Sequence, residues 1–200
     1  VGGGHNQLPA ALVHQGCMVV THGTAAVCAE RHHQNVAIKH TPFVVSELGR
    51  LPFADGTFDA VLSLRLIAHV SNWQDLLGEF RRVTKQAVLI DFAPRESFNF
   101  FTPLLYNWKK RIELTTRPFV CHWSSEIKRA FYELRASDVS FQREFFVPMG
   151  IHRACRSRSI SQLLEKIARG VSLTRFLGSP AVCVAQFSDV NTATRNSLTK

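Results

Sequence analysis

Residues 51–63, Leu-Pro-Phe-Ala-Asp-Gly-Thr-Phe-Asp-Ala-Val-Leu-Ser, constrain the fold more than any other stretch of this chain. Pro52 fixes one backbone dihedral of an apolar elbow, and Asp55-Gly56 is a residue pair suited to a tight turn. Behind the turn, Phe58–Ser63 is a run of apolar residues with a single Asp at its mouth. Such a run reads as a parallel strand covered on both faces.

The flanking sequence alternates helix-like and strand-like segments. Val1-Gly2-Gly3-Gly4 reads as the last residue of a strand followed by a glycine turn. Gln7–Gln15 follows as a short amphipathic helix with Leu8, Leu12 and Val13 inward. Cys17–Thr21 predicts a strand, Thr24–His33 a helix with Thr24 as its N-cap, and Pro42–Ser46 a third strand. Asn72 is expected to cap a helix over Trp73–Lys85, where Trp73, Leu76, Leu77 and Phe80 fall on one face. Ala87–Phe92 is the next strand. Strands alternating with helices of this length predict an α/β, Rossmann-like, doubly wound and mainly parallel sheet.

After Pro94 the pattern changes. Phe98–Glu113 is rich in aromatics and runs into Lys109-Lys110-Arg111. Ser125–Ala136 predicts a helix and Asp138–Val147 an alternating strand, while Ser159 with Gln162 resembles a capping box. Ala181–Phe187 is the last strand, expected to pair antiparallel with Asp138–Val147 at one edge. One domain spans 1–187, with 95–136 and 148–178 as helical lid or substrate insertions, and 188–200 forms a flexible polar tail.

Two hundred residues at 46% hydrophobic content suit a single domain with a sizeable core. No segment approaches the roughly 18 uninterrupted apolar residues of a membrane span. The start carries no charged n-region with an apolar h-region, so a cytoplasmic setting is expected. The five cysteines are scattered without CxxC spacing, as expected of reduced thiols. The nine histidines show no HExxH or other ligand spacing, and no metal is expected. No Gly-x-Ser-x-Gly elbow is present, so a hydrolase of the α/β type is unsupported. The net charge of +9 is uneven: residues 1–94 hold seven Lys/Arg and seven Asp/Glu, whereas 95–175 hold fifteen against seven. A basic half suits an anionic partner such as RNA, a lipid headgroup or an acidic substrate, or forms a solvated surface.

The 51–63 string, with the glycine turn before it and Ser63–Val70 after it, closely resembles the centre of class I S-adenosylmethionine-dependent methyltransferases. The resemblance is to the branch that includes the quinone-biosynthesis methyltransferases. It covers residues 1–92 by specific motifs and 95–187 by architecture alone. It implies a start truncated within the first strand, S-adenosyl-L-methionine as cofactor, and a small acceptor that is apolar or quinone- or phenol-like. Gly2 and Gly4 match the family's glycine turn, and Asn6 stands where a third glycine is usual; Asn tolerates positive φ. A dehydrogenase fingerprint would instead want glycine at position 7, where Gln7 stands.

In the family an acidic residue ends the second strand and binds the cofactor ribose. His22-Gly23 occupies that place here with no carboxylate, so the cofactor motif is degenerate. Glu47, four residues before Leu51, corresponds to the acid that accepts a hydrogen bond from the adenine amino group, and Leu48 offers its backbone to the ring. The backbone at Leu64-Arg65 corresponds to the lining of the cofactor's methionine end. His69 matches a histidine that orients substrate or acts as a base. Phe98, Phe101, Tyr106 and Trp108 are expected to shape the substrate pocket under the lid. Two alternatives stay open. One is a catalytically inactive relative that binds or scaffolds. The other is an RNA methyltransferase whose basic half holds phosphates while Tyr106 or Trp108 stacks on a base.

Overall fold

The computed structural model describes residues 1–2, 7–97, 120–143 and 179–188. In chain order these form α1 (Gln7–His14), β1 (Thr21–Gly23), α2 (Ala26–Gln34), β2 (Phe43–Val45) and β3 (Phe58–Ser63). A 3₁₀ turn (Ile67–His69), α3 (Trp73–Val83) and β4 (Thr84–Phe92) follow. The remaining elements are α4 (Ser124–Glu133), β5 (Asp138–Arg143) and β6 (Ala181–Gln186).

β1 and β2 pair in parallel, as do β3 and β4. β6 then runs antiparallel between β4 and β5, giving the order β3-β4-β6-β5. Val1 lies beside β3, its nitrogen donating to the Leu62 carbonyl at 2.7 Å. Parallel pairs joined through helices, with an antiparallel last strand, make this a Rossmann-like α/β fold.

Periodicity explains the core. Leu76, Leu77, Phe80 and Val83 fall on one face of α3, and all four are buried. They meet Val88, Ile90 and Phe92, the alternate residues of β4, together with Ile127 and Phe131 of α4. Full burial of an aliphatic or phenyl side chain such as these contributes about 1.5–3 kcal/mol each.

The elbow at 51–57 is held from α3. Arg82 donates to the carbonyls of Leu51 (3.0 Å) and Phe53 (2.8 Å) and to the carboxylates of Asp55 (2.8 Å) and Glu79 (2.8 and 2.9 Å). Glu79 in turn accepts the Leu51 N–H at 2.8 Å, and Gly56 N–H donates to the Arg82 carbonyl at 2.8 Å. The turn that dominates the sequence is therefore a structural clasp at the start of β3, away from the strand's C-terminal end.

Several boundaries differ from expectation. The strand expected at Cys17–Thr21 is instead Thr21–Gly23. Its partner β2 starts after Pro42, which has no N–H to extend a ladder backwards, so Cys17 and Met18 stay exposed. α2 starts after Ala25 without a side-chain cap, so Thr24 does not cap it. Asn72 is the N-cap of α3, but its side chain makes no capping bond. α3 stops at Val83 because Thr84 already enters β4, opposite Phe58. β3 is not sealed on both faces, since Asp59 and Ala60 are exposed while Val61 and Ser63 are buried. β5 is described to Arg143, and Ser159 and Gln162 lie outside the described residues.

Candidate functional site

Gly2 follows Val1, which is bonded to β3, and lies beside the chain that leaves β3. Gly2 adopts φ +81°, a conformation only glycine takes without strain. A Cβ at Gly2 would lie 3.5 Å from the Leu66 side chain, so the glycine turn faces the chain leaving β3. His22 of β1 is near enough to the Val1 amino group to feel its charge. The His22 pKa is held below the ordinary histidine value by burial, then by the nearby Val1 amino charge, and a hydrogen bond donated to Ser46 opposes this.

His22 and Ser46 tie the ends of β1 and β2 together. His22 Nε2 lies 2.8 Å from Ser46 Oγ, and Ser46 Oγ donates to the Glu47 carbonyl at 3.2 Å. With the serine proton committed, Nε2 is the donor and the buried Nδ1 is bare, which suits a neutral imidazole. Ser46 N–H donates to the Gly23 carbonyl at 3.2 Å. Glu47 is exposed at this rim, and Leu48 is half-buried against the core.

Gly23 has little room. A Cβ there would meet Phe43 Cζ at 2.8 Å, and the Phe43 ring is itself packed on His32 at 5.1 Å. An aromatic edge thus borders the place where the family resemblance implies a carboxylate.

Past β3, Leu64 is half-buried and Arg65 is exposed at φ +57°. The Arg65 N–H donates to Asp91 Oδ1 at the end of β4, at 2.5 Å. Burial pushes the Asp91 carboxyl upward, partly offset by that hydrogen bond and by the Arg65 charge. His69 is exposed on the 3₁₀ turn, its N–H donating to the Leu66 carbonyl at 2.9 Å.

β4 delivers the chain to Pro94, which bridges to His122. The His122 N–H donates to the Ala93 carbonyl (3.1 Å), and Val120 N–H to that of Ala68 (2.9 Å). The His122 ring is buried against Trp73 at 5.0 Å, and burial lowers its pKa.

The structure therefore brings together Gly2 with the Leu64–Leu66 segment, and Gly23 with Ser46, Glu47 and Leu48. His69 stands at the same end of the sheet. Gly4, Asn6, Phe98, Phe101, Tyr106 and Trp108 lie outside the described residues. Asp91 and His122 were missed. Asp91 had a signal, a lone carboxylate at the end of the apolar run Ala87–Phe92, whereas nothing local marked His122. Among the described residues no group of three or more His, Cys, Asp or Glu could hold a metal, and no helix is long and apolar enough to cross a membrane.

Residues 1–90 match the family model described as a methyltransferase domain. No curated protein matches the sequence significantly. Among solved structures, a SAM-dependent methyltransferase from Thermotoga maritima is similar at a TM-score of 0.64 and 13% identity, over 94% of this chain and 80% of that one. Magnesium protoporphyrin IX methyltransferase from Synechocystis PCC 6803, with bound SAH, is similar at 0.57 and 13%, over 94% and 72%. A SAM-dependent methyltransferase from Archaeoglobus fulgidus is similar at 0.61 and 13%, over 92% and 83%. At these identities the likeness establishes a shared fold, the one on which those SAM-dependent enzymes are built.

Proposed function

We propose that this chain binds S-adenosyl-L-methionine at the rim around Gly2 and transfers its methyl group to a small apolar, quinone- or phenol-like acceptor. One observation carries the reading. Gly2, Gly23, Glu47, Leu48, Leu64 and Arg65, which are far apart in sequence, come to one end of the strands, where open α/β sheets bind ligands. The methyltransferase-domain match over residues 1–90 supports it, as do relatives of this fold that carry SAM or SAH.

The residues at this rim fit the cofactor in part. Gly2 leaves the turn without a side chain, Glu47 is free to accept from an adenine amino group, and Leu64-Arg65 offers backbone. The ribose has no carboxylate to meet at Gly23. Bound cofactor would supply an electrophilic methyl group on a sulfonium. The chain's own work is to align the acceptor in line with it and to exclude water. His69 would orient the acceptor or take its proton. α4 belongs to the core, so the lid reading rests on residues 98–119 and 148–178, with the substrate pocket at Phe98, Phe101, Tyr106 and Trp108.

Calorimetry with S-adenosylmethionine and S-adenosylhomocysteine tests the reading; an absence of binding for both would overturn it. The Phe43 edge at Gly23 favours a second reading, a relative that binds without turning over. Binding in calorimetry with no methyl transfer to any phenolic or quinol acceptor would select it.

A further inference from the structure

We propose that Asp91 is a positioning residue: its carboxylate holds Arg65 in the left-handed conformation and so fixes the Leu64-Arg65 backbone presented to the cofactor. The role rests on the cofactor reading above.

The parallel ladder between β3 and β4 ends at Ser63 and Ile90. One step further the strand-to-strand bond is replaced by a side chain, since Asp91 Oδ1 accepts the Arg65 N–H at 2.5 Å. Arg65 sits there at φ +57°, where residues other than glycine are uncommon and persist only when their surroundings hold them. The Arg65 side chain is exposed, so packing does not hold it. The Asp91 hydrogen bond is the restraint that the described residues provide.

The consequences reach along the rim. Leu66, the next residue, faces Gly2, and its carbonyl accepts the His69 N–H at 2.9 Å to open the 3₁₀ turn. The path set at Arg65 therefore sets both the wall opposite the glycine turn and the placement of His69. Asp91 lies on the half-buried face of β4, opposite the core residues Val88, Ile90 and Phe92. Burial disfavours its charge, so an apolar residue would suit stability better. A carboxylate kept at such a position is accounted for by what it holds.

Four variants test this: Asp91→Leu, Asp91→Asn, Arg65→Gly and the double Asp91→Leu/Arg65→Gly. The measurements are S-adenosylhomocysteine affinity by calorimetry, melting temperature, and hydrogen exchange at the Arg65 amide. Asp91→Leu should weaken affinity by about tenfold or more, the loss expected for a hydrogen bond to a charged group, and speed exchange at Arg65 without lowering the melting temperature. Asp91→Asn keeps an acceptor oxygen and should stay within about threefold. Arg65→Gly removes the φ penalty and should recover part of the affinity lost in Asp91→Leu. A parent that binds with an Asp91→Leu variant of equal affinity and equal exchange would overturn the role alone. So would a loss that Arg65→Gly leaves unrecovered and that comes without faster exchange. A parent that binds neither S-adenosylmethionine nor S-adenosylhomocysteine would overturn the cofactor reading, and this role with it.

Discussion

Single side chains at the rim make opposite demands on pH. Burial lowers the pKa values of His22 and His122, so the folded state prefers both neutral. Below about pH 6.5, the unfolded value, the unfolded chain takes up protons that these sites refuse. Their contribution to stability is present above that value and is lost as pH falls through their folded pKa values. Asp91 runs the other way: its raised pKa favours the fold on the acid side, and that advantage is lost as pH rises through its folded value. The melting temperature should therefore fall between pH 7.5 and 5.5, and His122→Phe, which keeps a ring against Trp73, should flatten that fall. An unchanged pH slope in the variant would remove His122 as a cause. Glu47 is the other residue-scale test. Glu47→Gln should weaken cofactor binding by about 1–3 kcal/mol if the carboxylate meets the adenine amino group. Glu47 is named by the sequence through its local spacing to Leu51 alone, and the variant tests that role. His122 was not legible, because its place depends on a bridge to Pro94, twenty-eight residues earlier in the chain.

Elements were legible where their chemistry is local and misplaced where a partner decides. Phe58–Ser63 has the bounds expected, since proline, an Asp-Gly turn and an apolar run specify it from within. β1 does not, since Cys17–Val20 are as apolar as a strand needs but, among the described residues, the pairing with β2 begins only at Thr21 and Phe43, after Pro42. The clasp on the elbow could not be read at all, as Glu79 and Arg82 look like ordinary exposed charges on a helix. Glu79→Ala should strip the acceptor from Leu51 N–H and from Arg82, costing about 1–3 kcal/mol. For a chain of this size that is about 2–4 °C of melting temperature per kcal/mol, with cofactor affinity unchanged. A loss of affinity without loss of stability would place the clasp in the site instead. At the end of β1, Gly23→Asp supplies the absent ribose acid only if the Phe43 ring yields, because their contact would be 2.8 Å. Gly23→Asp alone should gain little, and Gly23→Asp with Phe43→Leu should tighten S-adenosylhomocysteine binding. If the double variant gains nothing, β1 does not end at the ribose.

At the scale of the whole molecule, charge separates the two acceptor classes. Residues 95–175 carry fifteen Lys/Arg against seven Asp/Glu, but the described part of that stretch is nearly neutral, with five against four. Several of those five are engaged within the fold. Arg129 pairs with Glu133 at 2.8 Å, Arg95 lies over the Trp123 ring at 5.5 Å, and Lys128 lies near Tyr132 at 5.7 Å. The excess thus resides in 109–117 and 153–175, the first of which directly follows in sequence the aromatics expected to meet the acceptor. A small apolar acceptor makes no use of such charge beyond solubility. An RNA acceptor would use it to displace counterions, with affinity falling by orders of magnitude between about 50 and 200 mM salt. Titrating a mixed tRNA pool at those two concentrations should show only weak binding, little changed when Lys109, Lys110 and Arg111 become alanine. Were those three residues phosphate contacts, the triple variant would reduce the log–log salt slope by about 3. Tight binding in the parent with that change of slope would replace the small acceptor with RNA.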